Sequence, residues 1–309
     1  MQKHVPVLLH ETIEGLNIKE NGIYVDCTMG GAGHSAEILR RLSKNGHLYC
    51  FDQDDYAVFR GQARLLEIGQ NFTVIADNFT NLKEDLKNIE IEQVDGILYD
   101  LGVSSFQFDV GERGFSYNFD SRLDMRMNQK QDLTAFDIVN YYSFDELKTI
   151  FYDYGEERFA PGIAKKIVQA REKRLIETTF ELVEIIKQGI PAFARRKGGH
   201  PAKQVFQALR IAVNDELNVF EKSLTDAISL LKQGGRIAVI TFHSLEDRIC
   251  KNTFRKHVEN QLPSKLPIRA SEIKHEFRLV NNKVITPSES ELNANNRAHS
   301  AKLRILEKI

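Results

Sequence analysis

The chain has 309 residues, is 42% hydrophobic and 28% charged, and carries a formal net charge of -1. This is ordinary globular composition, long enough for one large or two smaller domains. It excludes a global basic field, so any nucleic-acid contact must come from local basic clusters.

The N-terminal residues lack the apolar core of a signal peptide, and runs such as Ile237 to Phe242 are too short to span a bilayer. Cys27, Cys50 and Cys250 have no paired spacing, which points to neither a disulfide framework nor a zinc site. The expectation is a soluble cytoplasmic protein with no metal.

Leu8 to Leu16 has helical spacing. Ile23 to Cys27 reads as a first strand. Asp26-Cys27-Thr28-Met29-Gly30-Gly31-Ala32-Gly33-His34-Ser35 follows it, and a helical pattern from Ala36 to Leu42 comes next. Glycines between a strand and a helix let the backbone approach a ligand closely. The helix start turns free amides into the same loop. Leu48 to Phe51, Phe72 to Ala76 and Gly96 to Tyr99 read as further strands, ending at Asp52, Asp77 and Asp100. Helical patterns from Tyr56 to Leu66 and Leu82 to Ile89 alternate with them. Such alternation predicts a parallel, doubly wound sheet with its ligand outside the carboxyl ends of the strands.

The next strand signal is Arg236 to Thr241, far more than one crossover away. The intervening chain therefore holds an insertion. The expected division is 1–108 and 214–309 as the sheet domain, with a helical substrate-recognition insertion at 109–213. Ser143 to Glu146 and Thr178 to Glu181 are capping boxes opening helices. Phe159 to Arg174 is another helix, Ala202 to Val219 a long amphipathic one, and Glu221 to Leu231 the last before the strand. Pro263 to Glu291 is polar and poorly periodic, and Ala301 to Leu306 alternates like a final strand.

Asp52 lies 19 positions after Gly33, at the end of a strand. An acid there commonly accepts hydrogen bonds from ribose hydroxyls. The glycines fall as G-G-x-G, not as the dinucleotide G-x-G-x-x-G, which favours a mononucleoside cofactor such as S-adenosylmethionine over nicotinamide. His34 either touches that cofactor or only starts its helix. Asp77, Asn78 and Phe79 could read an adenine edge and face, or form an ordinary turn with one core aromatic. Asp100 stands where the transferable group would lie and could orient an amine toward a methyl group. His243-Ser244 is no hydrolase pair, because the two side chains diverge and no nucleophile elbow exists.

Two basic stretches fall in the insertion. Lys165 to Arg174 reads as a solvated face. Arg195-Arg196-Lys197 through Lys203 has no acid among its residues and reads as a phosphate-contacting loop. Lys203, Gln207, Arg210 and Asn214 then share one polar stripe, which either extends the site or is simply the wet face.

Further stretches fit one family: His4 to Leu9, Asp26 to His34, Asp95 to Ser105, Glu112 to Ser116, Leu123 to Met127, Tyr154 to Glu157, Gly199 to Leu217, Thr241 to Arg248 and Asn296 to Arg304. In these the chain resembles the bacterial 16S ribosomal RNA (cytosine-N(4))-methyltransferases, which methylate the exocyclic amine of a decoding-centre cytidine. The resemblance implies a class I, Rossmann-like S-adenosylmethionine-dependent methyltransferase fold with an inserted helical domain. It implies cofactor contacts from Ala32, Gly33, His34, Asp52, Phe79, Asp100 and Gln107, and 16S ribosomal RNA, within the small subunit, as partner. Two residues depart from the family pattern: Phe106 where proline is usual, and His299 where arginine is usual. The tandem prolines and aromatic that other amino-methyltransferases carry after this acid are missing, which leaves Phe115 or Tyr117 as stacking candidates. The oligomeric state stays open, a dimer included. A DNA amino-methyltransferase, a nicotinamide oxidoreductase and a non-catalytic RNA-binding factor are the rival readings.

Overall fold

The computed structural model describes residues 6–102, 113–196, 199–259 and 275–309. The chain divides into two compact units, one formed by 1–102 with 217–309 and the other by 103–216, against an expected insertion of 109–213.

The first unit is built on a seven-stranded sheet. Short β-branched and aromatic runs form β1 (Ile23–Asp26), β2 (His47–Phe51), β3 (Phe72–Ile75) and β4 (Val94–Asp100). They are followed by β5 (Leu231–Thr241), β6 (Phe277–Leu279) and β7 (Lys302–Lys308). The order across the sheet is β3-β2-β1-β4-β5-β7-β6. Strands β1 to β5 pair in parallel, whereas β7 runs antiparallel to both β5 and β6. The chain order reverses between β1 and β4, and such a switch point opens a crevice at the strands' carboxyl ends. Helices Gly33–Arg41, Asp55–Leu66 and Leu82–Asn88 make the crossovers. Val25, Ile97, Tyr99, Ile237 and Val239 are fully buried on one face of the sheet. Tyr24, Leu48, Leu98, Ala238 and Ile240 are buried on the other. Strands buried on both faces read as continuous apolar runs, as these do.

At the opposite end of the strands, Asp95 locks three segments together. Its carboxylate accepts from Lys19 Nζ at 3.1 Å, Ile23 N at 3.0 Å and Lys232 Nζ at 2.8 Å. Burial works to raise its pKa, but the Lys232, Ile23 and Lys19 donors outweigh it and the net shift is downward. A depressed carboxylate stabilises the fold above its unfolded pKa of about 3.9, and that contribution disappears as pH falls through the folded value. Asp95→Ala is expected to cost about 1–3 kcal/mol at neutral pH, because the Ile23 amide loses its partner. Calorimetric melting from pH 7 down to acid should show the gap between wild type and variant closing below the ordinary carboxylate range.

The second unit is helical among its described residues. Its helices are Ala135–Tyr141, Phe144–Asp153, Ala160–Arg171, Thr179–Gly189, Ala192–Arg195 and Lys203–Asn214. Capping boxes open three of them, at Thr134 with Asp137, Ser143 with Glu146 and Thr178 with Glu181. Two glycines allow a close helix crossing: a Cβ on Gly162 would lie 2.6 Å from Gly189 O. Phe151, Leu147, Ile163, Ile167, Leu182, Ile186, Val205 and Leu209 fill the core. Ahead of these helices, Gly114 has φ +74 and no room for a side chain, since a Cβ would lie 2.4 Å from Arg122 O.

The structure corrects three expectations. The helix expected over Ala202 to Val219 stops at Asn214, and Asp215 adopts left-handed φ 49, ψ 36. The cause is tertiary: Asn214 Oδ1 accepts from Met127 N, and its Nδ2 donates to Met125 O, each at 2.8 Å. The next helix accordingly starts early, as Glu216–Ser229, and β5 begins at Leu231 instead of Arg236. The polar tail contains β6 and a short helix, Glu289–Ala294, which sequence periodicity was too brief to signal.

Candidate functional site

Four carboxylates fall at or just beyond the ends of adjacent parallel strands: Asp26 on β1, Asp52 after β2, Asp77 after β3 and Asp100 on β4. Asp26 is 1% exposed and frames the glycine loop from inside. Its Oδ1 accepts from Thr28 N at 3.0 Å, and its Oδ2 accepts from Ser35 Oγ at 2.5 Å. One buried acid therefore holds the first and last residues of Thr28 to Ser35. Burial pushes its carboxyl up, against the pull of Ser35, His34 and Thr28.

Within the loop, Gly30 and Ala32 have φ of 48 and 53. The left-handed region is natural for Gly30 and strained for Ala32, a kind of strain that concentrates at ligand-holding turns. Gly33 admits no larger residue without displacing Pro6, whose Cγ lies 2.2 Å from the position of a Cβ. Arg64 Nη1 donates to Gly31 O at 2.8 Å and braces the loop from the neighbouring helix.

Asp52 is half-buried. Its Oδ2 accepts from Gly30 N at 2.8 Å and its Oδ1 from Asp54 N at 2.9 Å. Each oxygen keeps a second lone pair, so the acid can hold the loop and still accept from a vicinal diol. Burial raises its pKa from 3.8 to about 6, despite the amides of Asp54 and Gly30.

At the end of β3 the Asp77, Asn78 and Asn81 side chains are engaged with one another and with the turn. Asp77 accepts from Asn78 N and Asn81 Nδ2, at 2.6 and 2.9 Å. Asn78 accepts from Thr80 N and donates to Gln53 Oε1, each at 2.9 Å. The turn reading thus describes Asp77 and Asn78 better than adenine-edge recognition does. Phe79 is half-buried, and its ring meets Tyr99 edge-on at 5.6 Å.

Asp100 completes the row. Its backbone N donates to Thr28 Oγ1 at 2.6 Å, which ties the β4 end to the glycine loop. Its Oδ2 lies 3.4 Å from His34 Nδ1. Its Oδ1 is buried and has no hydrogen-bond partner among the described residues. An orphaned buried carboxylate oxygen is costly unless a ligand satisfies it. Glycine backbone, an acid able to accept from hydroxyls and a carboxylate with one oxygen left over together fit a cationic, adenosine-bearing cofactor. His34, which the sequence left between cofactor contact and helix start, lies in the first turn of its helix, is 4% exposed and faces Asp100. Sequence reasoning placed Thr28 and Ser35 in the loop without a role of their own, and missed Arg64. The only signal for the first two was a pair of hydroxyl residues flanking the loop of a buried acid.

Gln107 and Phe106 lie outside the described residues, as does Lys197. In the second unit, Arg195, Arg196 and Lys203 are exposed. On the polar stripe of helix Lys203–Asn214, the residues beyond Lys203 have partners within this unit. Gln207 donates to Tyr154 O at 3.1 Å, and Asn214 holds Met125 and Met127. Arg210 is clamped by Glu216 at 2.8 and 2.9 Å, so its charge is already matched. Phe115 is 5% exposed in the core, which removes it as a base-stacking residue. The Tyr117 ring stacks on His200 at 4.2 Å. In the basic stretch from Lys165 to Arg174, Arg171 is structural, donating to Val139 O and Tyr142 O. His299 is exposed in the turn Asn296–Ser300. His243 caps helix Ser244–Val258 together with Glu246, a structural task. Among the described residues, no helix is long and apolar enough to cross a membrane.

Comparison with known structures finds a putative rRNA-methylase from Clostridium thermocellum, 14% identical, with TM-score 0.47 over 99% of this chain and 100% of that one. An rRNA methylase from Streptococcus thermophilus is 13% identical, with TM-score 0.42 over 99% of both chains. A SAM-dependent O-methyltransferase from Thermotoga maritima is 8% identical, with TM-score 0.44 over 100% of this chain and 68% of that one. The model of the MraW methylase family matches residues 1–309. Matched from its first residue to its last, the chain belongs to the MraW methylase family and takes S-adenosylmethionine as its methyl donor.

Proposed function

We propose that the protein methylates the exocyclic N4 amine of a decoding-centre cytidine in 16S ribosomal RNA within the small subunit. The observation that carries the reading is Asp100, whose buried, unpartnered Oδ1 sits at the end of β4 next to the glycine loop. When bound, S-adenosylmethionine would supply an electrophilic methyl group on a positively charged sulfur, and its S–C bond would break to leave the neutral thioether. Ala32, Gly33 and His34 border its place, Asp52 accepts from the ribose hydroxyls, and Phe79 offers an apolar ring edge. Gln107 belongs to this set by the family pattern. Asp100 Oδ1 accepts a hydrogen bond from the target amine and points the nitrogen lone pair at the methyl carbon. It then receives the proton that the methylated nitrogen sheds. No strong base is needed, because that nitrogen becomes acidic once it carries a fourth bond. Positioning of this kind is worth up to roughly 7–11 kcal/mol for well-aligned reactants.

The helical unit holds the RNA in this reading, with Arg195, Arg196, Lys197 and Lys203 as phosphate-binding residues. Arg210 is not carried forward, since Glu216 already pairs with it. Replacing Arg195, Arg196 and Lys203 with alanine should weaken RNA binding uniformly across sequences. The slope of log affinity against log salt should fall by about 0.7–0.9 for each phosphate that is no longer neutralised. Filter binding over a salt series measures this, and an unchanged slope would remove the loop from the interface.

Asp52 gives the cofactor a pH dependence. Above about pH 6 the carboxylate is ionised and accepts from both hydroxyls; below it the bound proton removes one acceptor and the charge. Titration calorimetry should show affinity for S-adenosylmethionine flat near neutrality and falling by up to about tenfold per pH unit in acid. A profile flat through this range would separate Asp52 from the ribose.

The deciding experiment is mass spectrometry of 16S ribosomal RNA from cells with and without the protein, repeated with purified small subunits, naked RNA and DNA. A methyl group appearing only with the protein, on a decoding-centre cytidine N4, is the expected result. Methylation of DNA alone would overturn the reading in favour of a DNA amino-methyltransferase.

A further inference from the structure

His34 has a hydrogen-bond acceptor on each side. Its Nε2 lies 3.1 Å from Val7 O, and a carbonyl can only accept, so Nε2 carries a hydrogen. Its Nδ1 lies 3.4 Å from Asp100 Oδ2. A neutral imidazole has a single N–H, and with that hydrogen on Nε2 it would aim a lone pair at the carboxylate. One more proton, on Nδ1, turns this repulsion into a charge-assisted contact. Among the described residues, the charged groups facing the ring are Asp100 from β4 and Asp26 from β1. Burial by itself would lower the imidazole pKa, but the Asp100 and Asp26 carboxylates and the Val7 carbonyl outweigh it, and the net shift is upward.

We propose that His34 is a positioning residue whose imidazolium holds Oδ2 of Asp100 and thereby aims the unpartnered Oδ1 at the amine to be methylated. The proposal rests on the methyl-transfer reading above. With Oδ2 turned to His34, the buried Oδ1 is the oxygen left without a partner among the described residues. The same ring ties the catalytic acid to the backbone that enters helix Leu9–Leu16, since Val7 is held by its other nitrogen. His34 touches neither reacting atom. It acts through Asp100, and only while doubly protonated. On deprotonation Nδ1 repels Oδ2, the carboxylate turns, and turnover falls on the alkaline side.

The test begins with nitrogen NMR of the full chain labelled at histidine, without cofactor or RNA. His34→Gln assigns the signal by its disappearance. The expected result is an imidazole protonated on both nitrogens at neutral pH, which becomes a singly protonated ring in Asp100→Asn. A singly protonated His34 in the wild type, or no change in Asp100→Asn, overturns the proposal while leaving the methyl-transfer reading untouched. Kinetics supply the second measurement. His34→Gln keeps one donor near Val7 O but has no cation for Asp100. It should lower kcat about tenfold or more and remove the alkaline limb of the kcat profile. If the variant melts lower but retains that limb, His34 serves only structure and the proposal is wrong.

Discussion

Asp100→Asn should lower kcat by about 10²–10⁴-fold, the range for removing a positioned proton acceptor, while the melting temperature changes little. The replacement is nearly isosteric, keeps the backbone bond to Thr28 Oγ1, and removes only charge and basicity. The amide cannot take the proton that the methylated nitrogen sheds. It can also turn its NH2 toward the position of Oδ1 and so meet the target amine donor to donor. Single-turnover methylation of small subunits, with cofactor binding measured separately, separates this loss from a loss of affinity. Turnover within tenfold of wild type would place the proton elsewhere.

Asp26→Ala should act on the other side of the site, through the cofactor loop. The variant strands Thr28 N and Ser35 Oγ, each left without its buried acceptor, at about 1–3 kcal/mol per group. Part of that cost is offset, because the carboxylate is itself buried and burial pushes its pKa up. A net loss of about 2 kcal/mol is expected, measured by denaturant unfolding. The loop then loses the clasp joining Thr28 to Ser35, and with it the backbone path that places Gly30 against Asp52. Affinity for S-adenosylmethionine should fall at least about tenfold, in line with about 1.4 kcal/mol of lost preorganisation. Ser35→Ala removes one of the two clasps and should give the smaller part of both effects. Equal losses from the two variants would mean that Asp26 acts elsewhere than through the loop.

The two variants divide the site by function. Asp26 and Asp52 shape the cofactor loop, and Asp100 faces the chemistry. Thr28 joins the halves, since its backbone amide donates to Asp26 while its hydroxyl accepts from Asp100 N. Damage to Asp26 should therefore also reach kcat, whereas damage to Asp100 should leave cofactor affinity the less disturbed of the two.

The sequence by itself determined the sheet and where its ligand goes. Strands such as Ile23–Asp26 and Val94–Asp100 are short apolar runs closed by acids, and the doubly wound alternation puts those acids at one edge. Local patterns of this kind depend on side chains a few positions apart, so they are legible in one dimension. The capping boxes at Ser143 and Thr178 were legible for the same reason. Only the tertiary structure decided what each polar group was free to do. Asn214, Gln207 and Arg210 shared a stripe with Lys203, yet three of the four are tied to backbone or to Glu216. Periodicity cannot show this, because their partners lie far away in the chain or around a helix break. Asn214 shows how such a bond also ends a helix that propensity alone would have continued. His34 and Asp100 are the clearest case. They are 66 positions apart in the sequence, and nothing in either neighbourhood tells of the other. Their 3.4 Å approach exists because β1 and β4 are adjacent parallel strands, and the helix following β1 starts over the end of β4.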